Sequence, residues 1–353
     1  MQPYIHLTNI LSELHGRLCL LEQGDSSGPP AQMDMKHARN LYIHTRMGGM
    51  LRAIHLGKDI TDLGLDPEDN LGEGDDGVVV PVPKRSMVAK RSMVAKIFGY
   101  GQLLDDTIKQ RGQDQARREL TAMVKLKDEK GFFRVVSREV DSVTLDYYGI
   151  PSEYPAILME AEPDLVPIEN YIGGASDMVQ AVKHCLDITD QMLCVLVSLD
   201  KAGITHRDFM ENNTKINGKG VFFLYDFSRC HFHDDGSFPF PQYNCFPQAT
   251  ERNPDDIWKD VEGMIKVYEL LCRHMPRTGN GEDRSTFFYI AEYVKGLLQT
   301  RETPYSPQRI LDAFRECTGK IPADAKSVAE MWSCINPNPE VEEDEDDWWQ
   351  RKS

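Results

Sequence analysis

The sequence ITHRDFMENN occupies residues 204–213, and LYDFS follows it at residues 224–228. Asn213 lies five residues after Asp208, and Asp226 lies thirteen residues after Asn213. Carboxylate and amide oxygens bind Mg²⁺, and a carboxylate can also accept the proton of a hydroxyl group. Asp and Asn also cap ordinary turns, but matches at several positions with fixed spacing favour a reaction centre.

The order and spacing of these residues resemble the catalytic loop H-R-D-L-x-x-x-N and the D-F-G motif of the eukaryotic protein-kinase-like superfamily. The resemblance implies an α+β fold with two lobes, a small β-rich N-lobe and a larger helical C-lobe. It also implies phosphoryl transfer from ATP, with Asp208 as the catalytic base next to His206 and Arg207. Asn213 and Asp226 are then the ligands of Mg²⁺. The shortened form is most similar to the atypical kinase-like domains that are abundant in fungal genomes.

A glycine-rich stretch, LGEGDDGVV at residues 71–79, fits the kinase pattern G-x-G-x-x-G-x-V. In that pattern, missing side chains let backbone N–H groups approach the phosphates of ATP. The resemblance assigns four residues to nucleotide binding: Gly72, Gly74, Gly77 and Val79. The alternative is an ordinary hairpin turn, which also uses glycine. Asp75 and Asp76 depart from the pattern, because carboxylates repel phosphate.

In the family, a lysine on the third strand contacts the nucleotide and is held by a glutamate on the following helix. Lys96 in MVAKIF and Glu119 in RRELT fill these two positions. The alternative for both is a solvated surface side chain, the commoner situation for Lys and Glu. We expect an ion pair between Lys96 and Glu119.

The resemblance assigns two further segments that support the site. Met159, Glu160 and Ala161 correspond to the hinge between the lobes, where the backbone binds adenine and Met159 forms the back wall. The alternative is the end of an apolar strand. Asp256 corresponds to the residue that anchors the catalytic loop from a helix beneath it.

Three features depart from the family pattern. No A-P-E triplet follows Asp226, and PQATE at residues 247–251 is the nearest remnant. Met210 stands where protein serine/threonine kinases usually have a lysine that steadies the transferred phosphate. Ser228 replaces the glycine of D-F-G, which predicts a stiffer turn.

These features leave three functions open. The first is a kinase that phosphorylates a hydroxyl, with protein serine or threonine as the family's default acceptor. The second is a small-molecule phosphotransferase of the aminoglycoside or choline kinase kind, favoured by the missing A-P-E. The third is a pseudokinase that serves as a binding module, favoured by Asp75, Asp76 and Met210. The presence of both Asp208 and Asp226 argues against the third, because a scaffold has no chemical need of them.

The pattern of apolar residues predicts strands early in the chain and helices late, as an α+β fold requires. Strands are expected at residues 78–82, 93–98, 132–136, 143–148 and 156–159, and helices at 105–127 and 176–202. We expect an N-terminal extension at 1–65, partly disordered, an N-lobe at 66–162, a C-lobe at 163–335 and a disordered acidic tail at 336–353. Trp348 and Trp349 adjoin the acidic run at residues 340–347, so docking on a partner is an alternative to a solvated tail.

Composition excludes some classes of partner. The chain has 40 basic and 56 acidic side chains among 353 residues, a formal net charge of −16. This charge repels a phosphate backbone, so we expect no nucleic-acid partner. No apolar run reaches the roughly 18 residues that span a bilayer, and the eight cysteines include no C-x-x-C pair. We therefore expect a protein of the cytoplasm or nucleus that does not bind membranes.

The sequence RSMVAK occurs twice in succession, at residues 85–90 and 91–96, so Lys90 and Lys96 are both candidates for the nucleotide lysine. A shift of six residues preserves the face of a strand that each side chain occupies. Two apolar residues continue the strand after Lys96, whereas a charged and a polar residue follow Lys90. The alternative is that both copies lie in a long hairpin and neither lysine pairs with Glu119.

We predict that Lys96→Met abolishes phosphotransferase activity and that Lys90→Met is nearly silent. Deletion of residues 85–90 should preserve both fold and activity, because the second copy retains the strand. Activity assays of the three variants measure this. Inactivation by Lys90→Met together with a harmless Lys96→Met would show that the strand uses the first copy.

Overall fold

The computed structural model of the protein describes residues 71–74, 77–82, 92–99, 106–147, 150–233, 254–276, 281–300 and 306–336. All of these residues lie within one compact unit, Leu51–Ser353. Several sequence-based expectations fall outside the described residues: the extension at 1–65, Asp75 and Asp76, the RSMVAK copy with Lys90, the PQATE segment and the tail beyond residue 336. They stay predictions.

Five antiparallel strands form one sheet, in the order β1-β2-β3-β5-β4. The strands are β1 (Gly72–Gly74), β2 (Gly77–Val82), β3 (Met93–Phe98), β4 (Asp141–Tyr147) and β5 (Ile150–Glu160). Every side chain of the central strand β3 is buried. Val94 and Phe98 join the core that the sheet shares with the helices, whereas Ala95 and Ile97 join a second cluster with β2 and β5. Lys96 therefore lies on the same face of β3 as the helix-side core.

Seven helices are present in the described ranges: α1 (Asp106–Lys125), α2 (Ile168–Gly173), α3 (Met178–Lys201), α4 (Pro254–Arg273), α5 (Gly281–Leu298), α6 (Pro307–Thr318) and α7 (Val328–Ile335). Helix α1 packs on β3 and β5. Helix α3 is largely buried and packs against α4 and α6. Asp177 caps its start by accepting a hydrogen bond from the backbone N of Gln180 at 2.8 Å. None of the helices described is long and apolar enough to cross a membrane.

Two short antiparallel ladders bring the sequence motifs together. Strand β6 (Ile204–Thr205) pairs with β9 (His231–Phe232), and β7 (Thr214–Ile216) pairs with β8 (Phe222–Leu224). Residues 206–213, the segment that resembles a kinase catalytic loop, lie between β6 and β7, and the D-F-S motif lies between β8 and β9. Because the strands on both sides of the two motifs are paired, the motifs lie next to each other.

The segment FFRVV that begins at Phe132 is not a strand, although the sequence predicted one. One bridge joins Val135 to β5. Phe132 packs on Phe227 with ring centroids 5.9 Å apart. Its neighbour Phe133 stacks on Phe223 with ring centroids 5.2 Å apart, and Phe223 precedes Phe227 by four residues. The segment is therefore held by one bridge and by ring packing, and not by a continuous strand ladder.

Helix α4 passes very close to the catalytic loop at Gly263. A Cβ atom added to this glycine would lie 2.1 Å from the backbone oxygen of Phe209 and 3.0 Å from the Cβ of the same residue. Phe209 is itself buried, so the loop cannot move outward without losing packing. The absence of a side chain at Gly263 therefore lets helix and loop touch.

Gly263→Ala should lower the free energy of unfolding. Forcing extra atoms into a packed interior costs about 1–3 kcal/mol, which outweighs the gain of about 1 kcal/mol from replacing a helical glycine by alanine. Gly296→Ala on α5 is the matched control, since its added Cβ would meet nothing within 4 Å. The control should stabilise the protein by up to about 1 kcal/mol. Urea unfolding measures both variants, and an equal stabilisation by the two would contradict the close approach.

Candidate active site

Lys96 is buried between two carboxylates. On β3 it lies opposite Val79 of β2 and Ile157 of β5. Its Nζ is 2.6 Å from Oε2 of Glu119 on α1 and 2.9 Å from Oδ1 of Asp226. A buried ammonium group is stable only when it is paired and hydrogen-bonded. The three side chains therefore fix the distance between sheet, helix and D-F-S motif.

The charges of this cluster stabilise one another. Burial alone would lower the pKa of Lys96, but the charges of Glu119 and Asp226 raise it above its ordinary value. Burial raises the pKa of Asp226, but the charge and hydrogen bond of Lys96 outweigh that effect, so the pKa is lowered. Both directions favour the charged forms at neutral pH.

Asn213 fixes the carboxylate of Asp208. Its Nδ2 donates hydrogen bonds to the backbone oxygen of Asp208 at 2.9 Å and to Oδ2 of the same residue at 3.0 Å. The backbone oxygen of Asn213 accepts a hydrogen bond from N of Tyr225 at 3.0 Å. The catalytic loop is thereby connected to the residue that precedes Asp226.

The fit of the site to Mg²⁺ rests on two oxygen atoms. Oδ1 of Asn213 and Oδ2 of Asp226 accept no hydrogen bond from the described part of the chain. No group of three or more His, Cys, Asp and Glu side chains that could hold a metal occurs in the described ranges. Mg²⁺ commonly takes one or two protein carboxylates and completes its shell with water and substrate phosphates. One carboxylate and one amide oxygen fit that pattern.

Asp260 of α4 anchors the catalytic loop. Its Oδ2 accepts a hydrogen bond from N of His206 at 2.6 Å, and its Oδ1 accepts one from N of Arg207 at 2.7 Å. Arg207 has φ of 65°, a left-handed conformation that is uncommon for a residue with a side chain. The sequence predicted Asp256 as the anchor, but the residue that accepts both hydrogen bonds is Asp260, one helical turn later.

His206 joins the two motifs through its ring. Its Nε2–H donates to the backbone oxygen of Tyr225 at 3.0 Å, and its Nδ1 accepts from N of Asp208 at 3.3 Å. This arrangement requires the neutral imidazole. Burial lowers the pKa of His206 to about 4, although the Tyr225 carbonyl and the carboxylates of Asp226 and Asp208 act in the opposite direction.

The glycine-rich stretch forms a tight hairpin. Gly72 pairs with Val79, and Gly74 pairs with Gly77, so that two residues connect β1 and β2. A Cβ atom on Gly77 would lie 2.1 Å from the backbone oxygen of Ile97 on β3, so only glycine fits at this position. A hairpin is common to the phosphate-binding interpretation and to its alternative, and the contact with phosphate stays a prediction.

Two backbone N–H groups of the expected hinge already donate hydrogen bonds within the protein. N of Glu160 donates to the backbone oxygen of Arg134 at 2.8 Å, and N of Ala161 donates to that of Ser92 at 2.9 Å. Met159 is buried in the shared core. Both N–H groups already have backbone partners, so neither is free to donate to adenine.

The structure shows the surroundings of two residues that depart from the family pattern, Met210 and Ser228. Met210 is 41% exposed and lies on the surface of the catalytic loop. Ser228 is buried, and the left-handed conformation in this turn occurs at Asp226, with φ of 67°. Serine in place of glycine therefore introduces no positive-φ strain at position 228. The sequence also gave no indication that Arg229 would approach Asp208, with Nη1 and Oδ2 4.0 Å apart.

The predicted site residues thus fall into three groups. The structure brings Lys96, Glu119 and Asp226 together, and Asp208 with Asn213 and His206. Arg207 is exposed, and its backbone shapes the loop. Their roles in binding and catalysis stay predictions, as do those of the glycines, Val79 and the hinge.

No family model and no curated protein matches the chain. Among solved structures, the chain is similar to one described as "ROP18 kinase domain in complex with AMP-PNP and sucrose". The TM-score is 0.46 and the sequence identity is 15%, with 75% of this chain and 79% of that chain covered. The chemistry of the site therefore depends on the geometry described above.

The stability of the protein should depend on the ionisation of His206. Its folded pKa of about 4 lies below the ordinary 6.5, so the unfolded chain takes up the proton first as the pH falls. The stabilisation is complete above pH 6.5 and is lost as the pH falls towards 4, an effect of about 3 kcal/mol. His206→Gln does not titrate, so its free energy of unfolding should fall less over this range.

The difference between the free energies of unfolding of the two proteins reports the titration of His206 alone, because all other ionisable groups titrate in both proteins. Urea unfolding at a series of pH values measures it. A difference between wild type and variant that stays constant between about pH 7 and pH 4 would contradict a buried neutral histidine.

Proposed function

We propose that this chain is a two-lobed, protein-kinase-like phosphotransferase that uses ATP and Mg²⁺ to phosphorylate a hydroxyl group. The observation that carries the proposal is the connected set of contacts from Glu119 through Lys96 to Asp226, and from the neighbouring backbone through Asn213 to Asp208. Phosphoryl transfer needs a base, metal ligands and a cation at fixed relative positions. These residues supply all three kinds of group in one cluster.

The role of each residue follows from its surroundings. Asp208 is partly exposed, with 25% of its side chain accessible, so an acceptor hydroxyl can reach it and give up its proton. Lys96 is buried and directed at Asp226, which suits it to bind phosphate oxygens of the nucleotide. Oδ1 of Asn213 and Oδ2 of Asp226 would hold Mg²⁺. When bound, the metal neutralises negative charge on the phosphates.

The acceptor is the least constrained part of the proposal. Protein serine or threonine is the default of the family that the motifs resemble. A small-molecule acceptor is the second candidate, and the observation that favours it is the lack of an A-P-E triplet between Asp226 and the helix α4. The connected contacts of Lys96, Asp226 and Asp208 argue against a pseudokinase, since each is a group that the reaction would use.

A pair of isosteric variants tests the proposal. ATP should raise the thermal midpoint of the wild-type protein more with Mg²⁺ than without it, because ligand binding stabilises the folded state. Asp226→Asn should lose the Mg²⁺-dependent part of this shift. Asp208→Asn should keep the shift but slow transfer about 10²–10⁴-fold, because a general base acts mainly in the transition state.

Thermal shift titrations and turnover with radiolabelled ATP measure these effects. Identical shifts with and without Mg²⁺ in the wild type would contradict metal-dependent nucleotide binding. Equal turnover of wild type and Asp208→Asn would remove Asp208 from the reaction.

A further inference from the structure

Arg229 lies beside the candidate base and is not fixed there. It is the last residue of the 3-10 helix Phe227–Arg229 that follows Asp226. Its Nη1 is 4.0 Å from Oδ2 of Asp208, and its side chain is 53% exposed. An exposed ion pair at this distance contributes little stability. The contact therefore has a small structural effect, but it brings a cation next to the atom that would accept the hydroxyl proton.

The positive charge of Lys96 is already balanced by carboxylates. Its Nζ contacts both Glu119 and Asp226, so two carboxylates offset its single charge. Met210, two residues after Asp208, is uncharged and exposed, at the position where the resemblance would lead one to expect a lysine. The chain therefore has no cation at Met210, whereas Arg229 places one beside Asp208, two residues earlier.

The surroundings of Arg229 give its side chain room to move. Arg229 lines a cavity of about 740 Å³ between the 3-10 helix and α1. The other lining residues are Gln110, Arg111, Asp114, Gln115, Arg118 and Ser228. A half-exposed arginine beside a cavity of this size can change rotamer without displacing packed atoms. Its guanidinium group can therefore approach either the cavity or Asp208.

We propose that Arg229 is a catalytic residue that binds the oxygens of the phosphoryl group during transfer, in place of the lysine that the chain lacks at Met210. The proposal rests on the proposed phosphotransferase function. Guanidinium groups suit this task because their planar set of N–H donors matches phosphoryl oxygens and stays charged at all relevant pH values. An arginine that contacts the transferred group stabilises charge in the transition state.

The reaction that Arg229 assists balances as follows. The acceptor oxygen forms a bond to the γ-phosphorus, and the bond from that phosphorus to the oxygen shared with the β-phosphate breaks. The electron pair of the broken bond leaves on ADP, and the proton of the acceptor passes to Asp208. Arg229 makes and breaks no covalent bond; it offsets negative charge on the three oxygens that move.

Substitutions that remove the positive charge at Arg229 and add one at Met210 test this role. Arg229→Gln should lower kcat about 10²-fold with a much smaller change in KM for ATP, because the contact is made in the transition state. Arg229→Lys should retain part of the activity. The double variant Arg229→Gln with Met210→Lys should recover activity relative to Arg229→Gln alone, since a lysine two residues after Asp208 restores a cation. Arg118→Gln is the matched control: it removes a positive charge that lines the same cavity but forms no ion pair with Asp208 among the described residues, and it should leave kcat unchanged.

Two acceptors serve as probes: water, followed as ATP hydrolysis, and dephosphorylated casein. A second readout does not depend on turnover. Aluminium fluoride imitates the phosphoryl group in the transition state. Calorimetry with ADP, Mg²⁺ and aluminium fluoride should therefore show weaker binding to Arg229→Gln than to wild type. Binding of ADP with Mg²⁺ alone should be the same in both proteins.

The outcomes separate this inference from the proposed function. An active wild type whose kcat and aluminium fluoride affinity are unchanged by Arg229→Gln would overturn the role of Arg229 and leave the phosphotransferase intact. An increase of KM alone would also overturn it, because it indicates ground-state binding only. A wild type that neither binds Mg·ATP nor turns over either probe would overturn the proposed function itself.

Discussion

The architecture of the site depends on one buried positive charge. The ammonium group of Lys96 comes from the central strand of the sheet, and its partners come from helix α1 and from the turn after β8. Removing one partner of a buried ion pair costs about 3–5 kcal/mol, because an uncompensated charge remains inside. Sheet, helix and turn therefore cannot shift independently. Glu119 and Asp226 act as restraints on the fold as well as candidate functional groups.

The loop that contains Asp208 is held mainly through its backbone, which leaves the carboxylate of Asp208 accessible. Asp260 accepts two hydrogen bonds from successive backbone N–H groups, and His206 accepts another from N of Asp208. Left-handed residues such as Arg207 are costly and persist only where surrounding contacts over-determine them. Since these contacts act on the backbone, Asn213 is the only side chain of the described residues that restrains the carboxylate of Asp208 by a hydrogen bond.

The local sequence pattern could predict most helices and strands, but not every hydrogen-bond partner of the site. Alternation along β3 and the apolar residues after Lys96 determine its face, and fixed motif spacing identifies the catalytic loop. The anchor was misassigned because Asp256 and Asp260 are four residues apart, about one turn of a helix, and sequence spacing alone does not determine which of the two meets the loop. The amides of Glu160 and Ala161 are occupied by residues far away in sequence, and no periodic signal reports such pairing. Long-range register was therefore the information that the sequence lacked.

The two partners of Lys96 are also separated in the order of synthesis. Glu119 follows the lysine by 23 residues, whereas Asp226 follows it by 130. At ribosomal rates of about 5–20 residues per second, the second carboxylate emerges on the order of ten seconds after the lysine. In that interval Lys96 can form an ion pair with Glu119 that carries no net charge. The lysine can then be buried before the rest of the chain is made. Asp226 then adds its negative charge to a preformed pair, so that the site becomes complete only when most of the protein has left the ribosome.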